Sequence, residues 1–343
     1  MHKNILLGKT INELKRSVLK LGMPAFTANQ IAEWLYKKRA VSFNEMTNIS
    51  LKNRNLLAEN FETGLNSPVK FQESKDGTKK YLFQTPENQF VEAVYIPDDE
   101  RATICVSSQA GCKMGCRFCM TGKMGFSANL SVADILNQVM SIPESSKLTN
   151  IVFMGMGEPF DNLDNLLNSI EILTADYGLA MSPRRITVST VGMVSEMKKF
   201  AESASCRLAV SLHSPFPRER LALMPAEKAF PMQKIFEEFR TREFSRHSRL
   251  AFEYIMFANL NDDLQHAAAL TKLLNGLPCR VNLIKFHAIP NVDLRPADEQ
   301  KMLDFQTFLN NKGIICTIRR SRGEDIFAAC GMLSTRVRKK ISR

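Results

Sequence analysis

Gln109-Ala110-Gly111-Cys112-Lys113-Met114-Gly115-Cys116-Arg117-Phe118-Cys119-Met120-Thr121-Gly122 sets three cysteines in a C-x3-C-x2-C run interleaved with glycines. Three thiolates so close in sequence can converge on one metal centre, and Gly111, Gly115 and Gly122 let the backbone wrap it. A zinc site wants a fourth protein ligand, and no nearby Cys or His supplies one; the bland alternative is a zinc knuckle completed from a distance by His213 or His287. A [4Fe-4S] cluster ordinarily takes four cysteines as well. With Cys112, Cys116 and Cys119 alone, one iron stays open for an exogenous ligand. The amino and carboxylate groups of S-adenosylmethionine (SAM) can chelate such an iron.

Downstream of the triplet, strand-like and helix-like segments alternate. The strand candidates are 102–108, 150–157, 185–192, 207–213, 250–257, 281–287 and 316–321, with helical patterns between them such as Val132 to Met140, Leu163 to Leu173, Val194 to Ala201, Met232 to Arg242 and Leu264 to Leu274. Strands separated by helices imply parallel pairing through right-handed crossovers, hence an α/β fold, either a β/α barrel or an open sheet. In both arrangements ligands gather at the C-terminal ends of the strands. Gly157-Glu158, Ser189, Ser211, His213 and His287 fall at such ends.

Upstream, Thr10 is expected to cap a helix with Ile11, Leu14, Val18 and Leu21 inward, ended by Gly22. Thr27 is expected to cap a second, with Ile31, Trp34 and Leu35 inward and Lys37, Lys38 and Arg39 at its basic end, and Ser50 a third through Leu56 and Leu57. Asp76-Gly77 between β-rich runs, then Gln89 to Ile96 alternating around Phe90, Val94 and Ile96, read as hairpin strands. The divisions that follow are a helical accessory domain at 1–62, a strand-rich connector at 63–100, a core at 101–332 and a basic tail at 333–343.

The chain of 343 residues carries a net charge of +11, which points to a polyanionic partner. Arg319, Arg320, Arg322, Arg336, Arg338, Lys339, Lys340 and Arg343 face only Glu324 and Asp325 from Thr317 onward. No apolar run approaches the roughly 20 residues of a membrane span, and the N-terminus lacks a signal-peptide pattern. The expected location is therefore the reducing cytoplasm, where close cysteines mean metal or catalysis.

Six blocks carry a closer likeness: Ser107-Ser108-Gln109-Ala110-Gly111-Cys112, Phe118-Cys119-Met120-Thr121-Gly122, Phe153-Met154-Gly155-Met156-Gly157-Glu158-Pro159, Arg184-Arg185-Ile186-Thr187-Val188-Ser189-Thr190, Ser211-Leu212-His213 and Ala328-Ala329-Cys330-Gly331. Together they resemble the RlmN/Cfr family of radical SAM adenosine methyltransferases. The resemblance implies a partial (β/α) radical SAM barrel behind an RNA-binding accessory domain. It also implies a [4Fe-4S] cluster with one open iron, two SAM per turnover, a flavodoxin- or ferredoxin-like electron donor and a monomeric enzyme. RlmN-type members methylate C2 of adenosine in 23S rRNA and in tRNA just 3′ of the anticodon; Cfr-type members methylate C8 of the rRNA adenosine. Ala110, Pro159, Lys123 and Phe126 look like the RlmN side, whereas Ser182-Pro183-Arg184-Arg185 and His213-Ser214-Pro215 are closer to Cfr.

Adenine C2 and C8 are electron-poor carbons on which direct displacement at a sulfonium methyl fails. A protein thiolate can take the methyl instead. By resemblance Cys330 is that thiol, backed by Gly331. Glu92, among apolar neighbours, is the expected proton acceptor, and Cys105 the resolving thiol that frees the product and leaves a Cys105–Cys330 disulfide. The resemblance assigns SAM contacts to Gly157, Glu158, Ser189, Ser211, Leu212, His213 and His287, the last standing where most members carry Asn. The bland readings are a core-filling Cys105, a paired edge-strand Glu92 and a plain strand-end His287. Cys206, Cys279 and Cys316 read as filler. Two other readings remain: a non-catalytic zinc-stabilised RNA-binding protein, and a radical SAM enzyme acting on a protein glycyl site or small molecule.

The charge distribution makes a measurable expectation. RNA affinity should fall steeply with salt, and charge reversal at Lys37–Arg39 and in the basic C-terminus should flatten that dependence in a filter-binding titration. An unchanged salt slope would confine both patches to solubility.

Overall fold

The computed structural model describes residues 3–241 and 250–335. The N-terminal residues fold as a helical module closed by a short parallel ribbon, β1 (Asn4–Ile5) against β2 (Phe61–Glu62). Helix α1 (Ile11–Lys20) starts on a reciprocal cap in which Thr10 Oγ1 accepts from the Glu13 amide and the Glu13 carboxylate accepts from Thr10. Its buried face is Leu14 and Val18, and Gly22 follows it with φ +72°. Helix α2 (Thr27–Ala32) runs on into a π-helical turn over Glu33–Lys37. Thr27 is the first helical residue rather than the cap, because the Pro24 carbonyl already takes its amide in the preceding turn. Helix α3 (Leu51–Asn60) begins on Ser50, whose side chain accepts from the Asn53 amide.

The module docks on the rest through close polar and backbone contacts. Asn66 and Asn137 exchange two hydrogen bonds of 2.9 Å. Gly8, at φ +84°, lies so close to the start of the helix Val132–Met140 that a Cβ there would sit 2.6 Å from the Ala133 nitrogen.

Strands β3 (Lys70–Glu73), β4 (Lys79–Gln84) and β5 (Phe90–Asp98) form an antiparallel meander, and β5 pairs antiparallel with β6 (Arg101–Cys105). After β6, a short ribbon of β7 (Gln109–Gly111) and β8 (Phe126–Asn129) brackets the cysteine run and α4 (Met120–Met124). The repeating part then proceeds α5 (Val132–Met140), β9 (Asn150–Phe153), α6 (Leu163–Thr174), β10 (Ile186–Thr190), α7 (Val194–Ser203), β11 (Arg207–Ser211), α8 (Pro217–Leu223), α9 (Met232–Thr241), β12 (Leu250–Met256), α10 (Leu264–Leu274), β13 (Cys279–Lys285), α11 (Glu299–Asn311) and β14 (Ile315–Ile318).

All strands from β3 to β6 and β9 to β14 belong to one ten-stranded sheet of order β14-β13-β12-β11-β10-β9-β6-β5-β4-β3. Its parallel part never reverses order, as a doubly wound sheet would, so it is wound like a barrel. Its edges β14 and β3 do not pair, so the barrel is partial. The expected connector is not a separate layer: its meander extends the same sheet. Nor does β5 alternate simply, because Val91, Glu92, Ala93, Val94 and Tyr95 are all buried. The parallel strands end two to four residues short of several predicted limits (105 against 108, 153 against 157, 285 against 287), because the chain peels away there. No helix among the described residues is long and apolar enough to cross a membrane.

Arg220 of α8 is fully buried and crosses the exits of two strands. It pairs with Glu227, and its Nη2 donates to the carbonyls of Val191 (2.6 Å) and Ser211 (2.9 Å). Removing the cation strands a buried carboxylate, so Arg220→Met should cost about 3–5 kcal/mol in urea unfolding, with part recovered in Arg220→Met/Glu227→Gln. A loss below about 1 kcal/mol would show that the pair does not hold these strand ends.

Candidate active site

The C-terminal strand ends enclose one cavity of about 270 Å³. Residues from β5 and β6 (Ile96, Cys105) through β13 and the stretch after β14 (Ile284, Arg319) line it, which shows how far the sheet curls.

Cys112, Cys116 and Cys119 all line this cavity. Their loop is shaped by backbone contacts that exclude side chains. The Cys112 amide donates to the Gly125 carbonyl at 2.9 Å, and a Cβ on Gly111 would overlap that same oxygen at 1.9 Å. A Cβ on Gly122 would sit 2.9 Å from the Cys116 nitrogen. Burial raises all three thiol pKa values, that of Cys112 to about 12, and Cys119 adds to the rise at both Cys112 and Cys116. Such a donor set calls for a cationic centre to hold its thiolates. Among the described residues no three His, Cys, Asp or Glu side chains converge on a point that would hold a single metal ion. His213 and His287, the distant candidates for a zinc site, line the same cavity, with one ring nitrogen of each in a protein contact.

Beside the start of the cysteine loop, Met154-Gly155-Met156-Gly157-Glu158 passes tightly over the exit of β6. A Cβ on Gly157, at φ +99°, would lie 2.5 Å from the Gln109 Cβ, and one on Gly155 2.7 Å from the Val106 carbonyl oxygen. The Gln109 side chain fixes the crossing, its Oε1 accepting from the Glu158 amide (2.9 Å) and its Nε2 donating to Asp161 (2.7 Å). Glu158 is buried, which raises its pKa to about 7; its oxygens accept from the amides of Phe160 (3.2 Å) and Val191 (2.9 Å).

Ser189, Ser211, His213 and His287 line the cavity as expected. His213 has φ +59°, and its Nδ1 accepts from the Ile255 amide at 3.0 Å. Burial and Arg220 lower its pKa to about 3, so the ring is neutral and its one proton is on Nε2. Phe118, between two of the cysteines, packs edge-on against this ring at 4.8 Å. His287 Nε2 is 3.0 Å from Ser321 Oγ. Leu212 does not line the cavity: its side chain is buried behind it, and its amide donates to the Glu253 carbonyl at 3.0 Å.

Cys105 and Cys330 both line the cavity. Cys105 is buried, and Cys330 is exposed into the cavity although protein surrounds it. Burial raises both pKa values, that of Cys105 to about 12, with Cys330 adding to the rise; the Arg319 guanidinium works against it at each thiol. All eight cysteines are free thiols, so the structure holds no Cys105–Cys330 disulfide, and both side chains line one cavity without a bond. Cys206, Cys279 and Cys316 lie away from it. Glu92 is buried but not at the cavity wall. Its Oε1 is 3.4 Å from Lys80 Nζ, and its Oε2 accepts from the Ser334 amide at 2.9 Å. Burial raises its pKa, against Lys80 and that amide.

Sequence reasoning missed a polar network on the floor. Arg319 Nη2 donates to Glu253 Oε1 (2.7 Å), which also accepts from Asn282 Nδ2 (2.9 Å), while Glu253 Oε2 has no partner among the described residues. Arg319, counted in the sequence with the basic C-terminus, is an inward cation paired with Glu253, and Arg322 pairs with Asp98. The only sequence signal was Glu253 within an otherwise apolar strand, Leu250–Met256. Of the predicted basic tail, residues 336–343 lie outside the described residues.

Comparison with known proteins agrees with this geometry. The radical SAM superfamily model matches residues 106–270, and the ribosomal RNA large subunit methyltransferase N-terminal domain model matches residues 4–63. A probable dual-specificity RNA methyltransferase RlmN of Parabacteroides distasonis is 60% identical over 97% of both chains. A dual-specificity RNA methyltransferase RlmN of Desulfotalea psychrophila is 41% identical over 92% of this chain and 91% of that one. The crystal structure of a radical SAM methyltransferase from Sphaerobacter thermophilus superposes with a TM-score of 0.91 at 36% identity, covering 96% of this chain and 99% of that one.

Replacing Cys112, Cys116 or Cys119 with Ala should abolish bound iron and reductive SAM cleavage together. Iron analysis of anaerobically reconstituted protein checks this, and a normal iron content in any one variant would sink the cluster assignment.

Proposed function

The chain belongs to the RlmN family of radical SAM RNA methyltransferases, and from that premise we propose that it methylates C2 of adenosine in 23S rRNA and tRNA through a methyl carried on Cys330. The observation that carries the reading is the single cavity that holds Cys330, Cys105 and the cysteine triplet together. The high identity to RlmN relatives disfavours the Cfr-like C8 alternative, despite the Cfr-like Ser182–Arg185 and His213–Pro215 stretches.

Cys112, Cys116 and Cys119 would hold a [4Fe-4S] cluster with one iron free of protein ligands, a group that would supply the electron for reductive cleavage of SAM. Gly157 and Glu158 offer backbone groups to the amino acid end of SAM, Ser189 and Ser211 hydroxyls, and His213 an Nε2–H donor; His287 completes the set. Cys330 acts first as nucleophile: its thiolate displaces the sulfonium methyl of one SAM, releasing the thioether product. A hydrogen atom is then taken from that methyl at the expense of a second SAM, and the carbon on Cys330 joins adenine C2. The ring proton must leave. Glu92 takes it in this scheme, once its carboxylate has exchanged Lys80 or the Ser334 amide for the base. Cys105 then forms a bond to Cys330 sulfur as the carbon–sulfur bond breaks: the Cys105 proton goes to the released carbon, the unpaired electron of the adduct passes to the oxidised flavodoxin- or ferredoxin-like carrier, and the methylated base leaves. The resulting disulfide is a turnover state that cytosolic thiols return to the free pair. The setting is the cytoplasm, with a flavodoxin- or ferredoxin-like donor.

The Ala variants of the two thiols must fail differently. Cys330→Ala should bind iron and SAM but never accept a methyl or attach to RNA. Cys105→Ala should accept the methyl, join the RNA and stall, leaving a nuclease-trimmed nucleotide mass on Cys330 by mass spectrometry. Normal turnover by Cys105→Ala, or crosslinking by Cys330→Ala, would show these roles to be wrong.

A further inference from the structure

The loop that carries Cys330 is held from two directions. From the cluster side, the Met120 amide donates to the Gly331 carbonyl (2.7 Å) and Thr121 Oγ1 donates to the Leu333 carbonyl (2.8 Å). From the meander side come two side chains that do not line the active-site cavity. Lys80 of β4 donates through Nζ to the Phe327 carbonyl at 3.3 Å, and Glu92 of β5 accepts the Ser334 amide at 2.9 Å. These two backbone groups flank Cys330 on either side. Lys80 and Glu92 also pair with each other at 3.4 Å, and they are only 9% and 4% exposed.

The strand register explains the pairing. Leu82 lies opposite Glu92 and Val94 opposite Lys80, so the two charged residues are diagonal neighbours on adjacent strands. A buried ion pair carries a desolvation cost, which extra hydrogen bonds from each partner offset. Here both extra bonds go to the backbone of one loop.

We propose that Lys80 and Glu92 are positioning residues that clasp both flanks of the Cys330 loop, setting its sulfur for methyl acceptance before any proton is moved. The inference rests on the reading of Cys330 as the methyl carrier. It gives Glu92 a role in a step that precedes loss of the ring proton. A residue that served only as proton acceptor would leave the earlier methyl transfer untouched.

The test separates the two steps in the cluster-loaded, full-length enzyme. Methyl loading of Cys330 from SAM, without RNA, is timed by mass spectrometry for Lys80→Met, Glu92→Ala, Lys80→Arg and Glu92→Gln. Alkylation of Cys330 by iodoacetamide is followed on the same proteins, together with iron content. Lys80→Met and Glu92→Ala should keep their iron, load methyl at least about tenfold more slowly, and alkylate severalfold faster. Lys80→Arg keeps the cation, and Glu92→Gln keeps an oxygen for the Ser334 amide while losing the base; both should recover loading. Wild-type loading and alkylation rates in Lys80→Met and Glu92→Ala, with a stall only after RNA is added, would overturn the clasp. So would loss of iron in all four variants, which would make the pair part of the general fold. If the wild-type enzyme never carries methyl on Cys330, the methyl-carrier reading fails, and the alkylation rates alone decide whether the loop is clasped.

Discussion

A hydrogen bond of 2.7 Å from the Met120 amide to the Gly331 carbonyl joins the residue after the last cysteine of the triplet to the residue after Cys330. The neighbouring contact, Thr121 to Leu333, spans 212 residues of sequence. Closing so long a loop costs conformational entropy, and one or two hydrogen bonds do not offset it. The winding of the sheet does. Each crossover places the next strand beside the last, until β14 delivers the chain to the same cavity that β6 opened. The short bonds to α4 then fix the final ångströms. Methyl transfer to a thiol and radical chemistry on the carried carbon need such fixing, because reacting atoms must approach to about 3–3.5 Å.

The cavity is a place where charge is expensive. Burial raises Glu158 to about 7 and lowers His213 to about 3, so both move toward their neutral forms. Arg220 keeps a fully buried position because Glu227 and two strand-end carbonyls surround it. Arg319 sits on Glu253, and its guanidinium counteracts the burial that suppresses both Cys105 and Cys330 thiolates. Each of the two arginines is thus held by a buried carboxylate, Arg220 by Glu227 and Arg319 by Glu253. A cation bound among the cysteines would shift this balance toward thiolates.

How much of this was legible in the sequence depended on how local each signal was. The C-x3-C-x2-C run, the caps at Thr10 and Ser50 and the helices Val132–Met140 and Leu264–Leu274 are written in a few adjacent residues, and the structure has them. Strand cores were legible, but strand ends were not, because the exits at 106, 154 and 286 are set by contacts between loops from different parts of the chain. The ribbon of β7 and β8 was missed, since Gln109–Gly111 and Phe126–Asn129 are too short for a period to register. Arg319 was misassigned because a basic residue in a basic run looks solvated. Its partner Glu253 lies 66 residues away. Lys80 and Glu92 carried no signal of a shared role, since only the register of β4 against β5 brings them together.

That register bears on how the chain divides. A helical accessory module can be an addition, tied on by Asn66–Asn137 and the close approach of Gly8. The meander cannot be one in the same sense. Its three strands continue the core sheet, its Lys80 and Glu92 bond to the Cys330 loop, and its Ser74 and Asp76 bond to Asp325 and the Gly323 amide at 2.5 Å and 3.0 Å. The end of the described chain is thus held from that side by the meander's strands and by the turn between β3 and β4. A barrel left open between β14 and its far edge has no strand of its own to support a loop returning across its mouth, so the antiparallel extension supplies the missing wall.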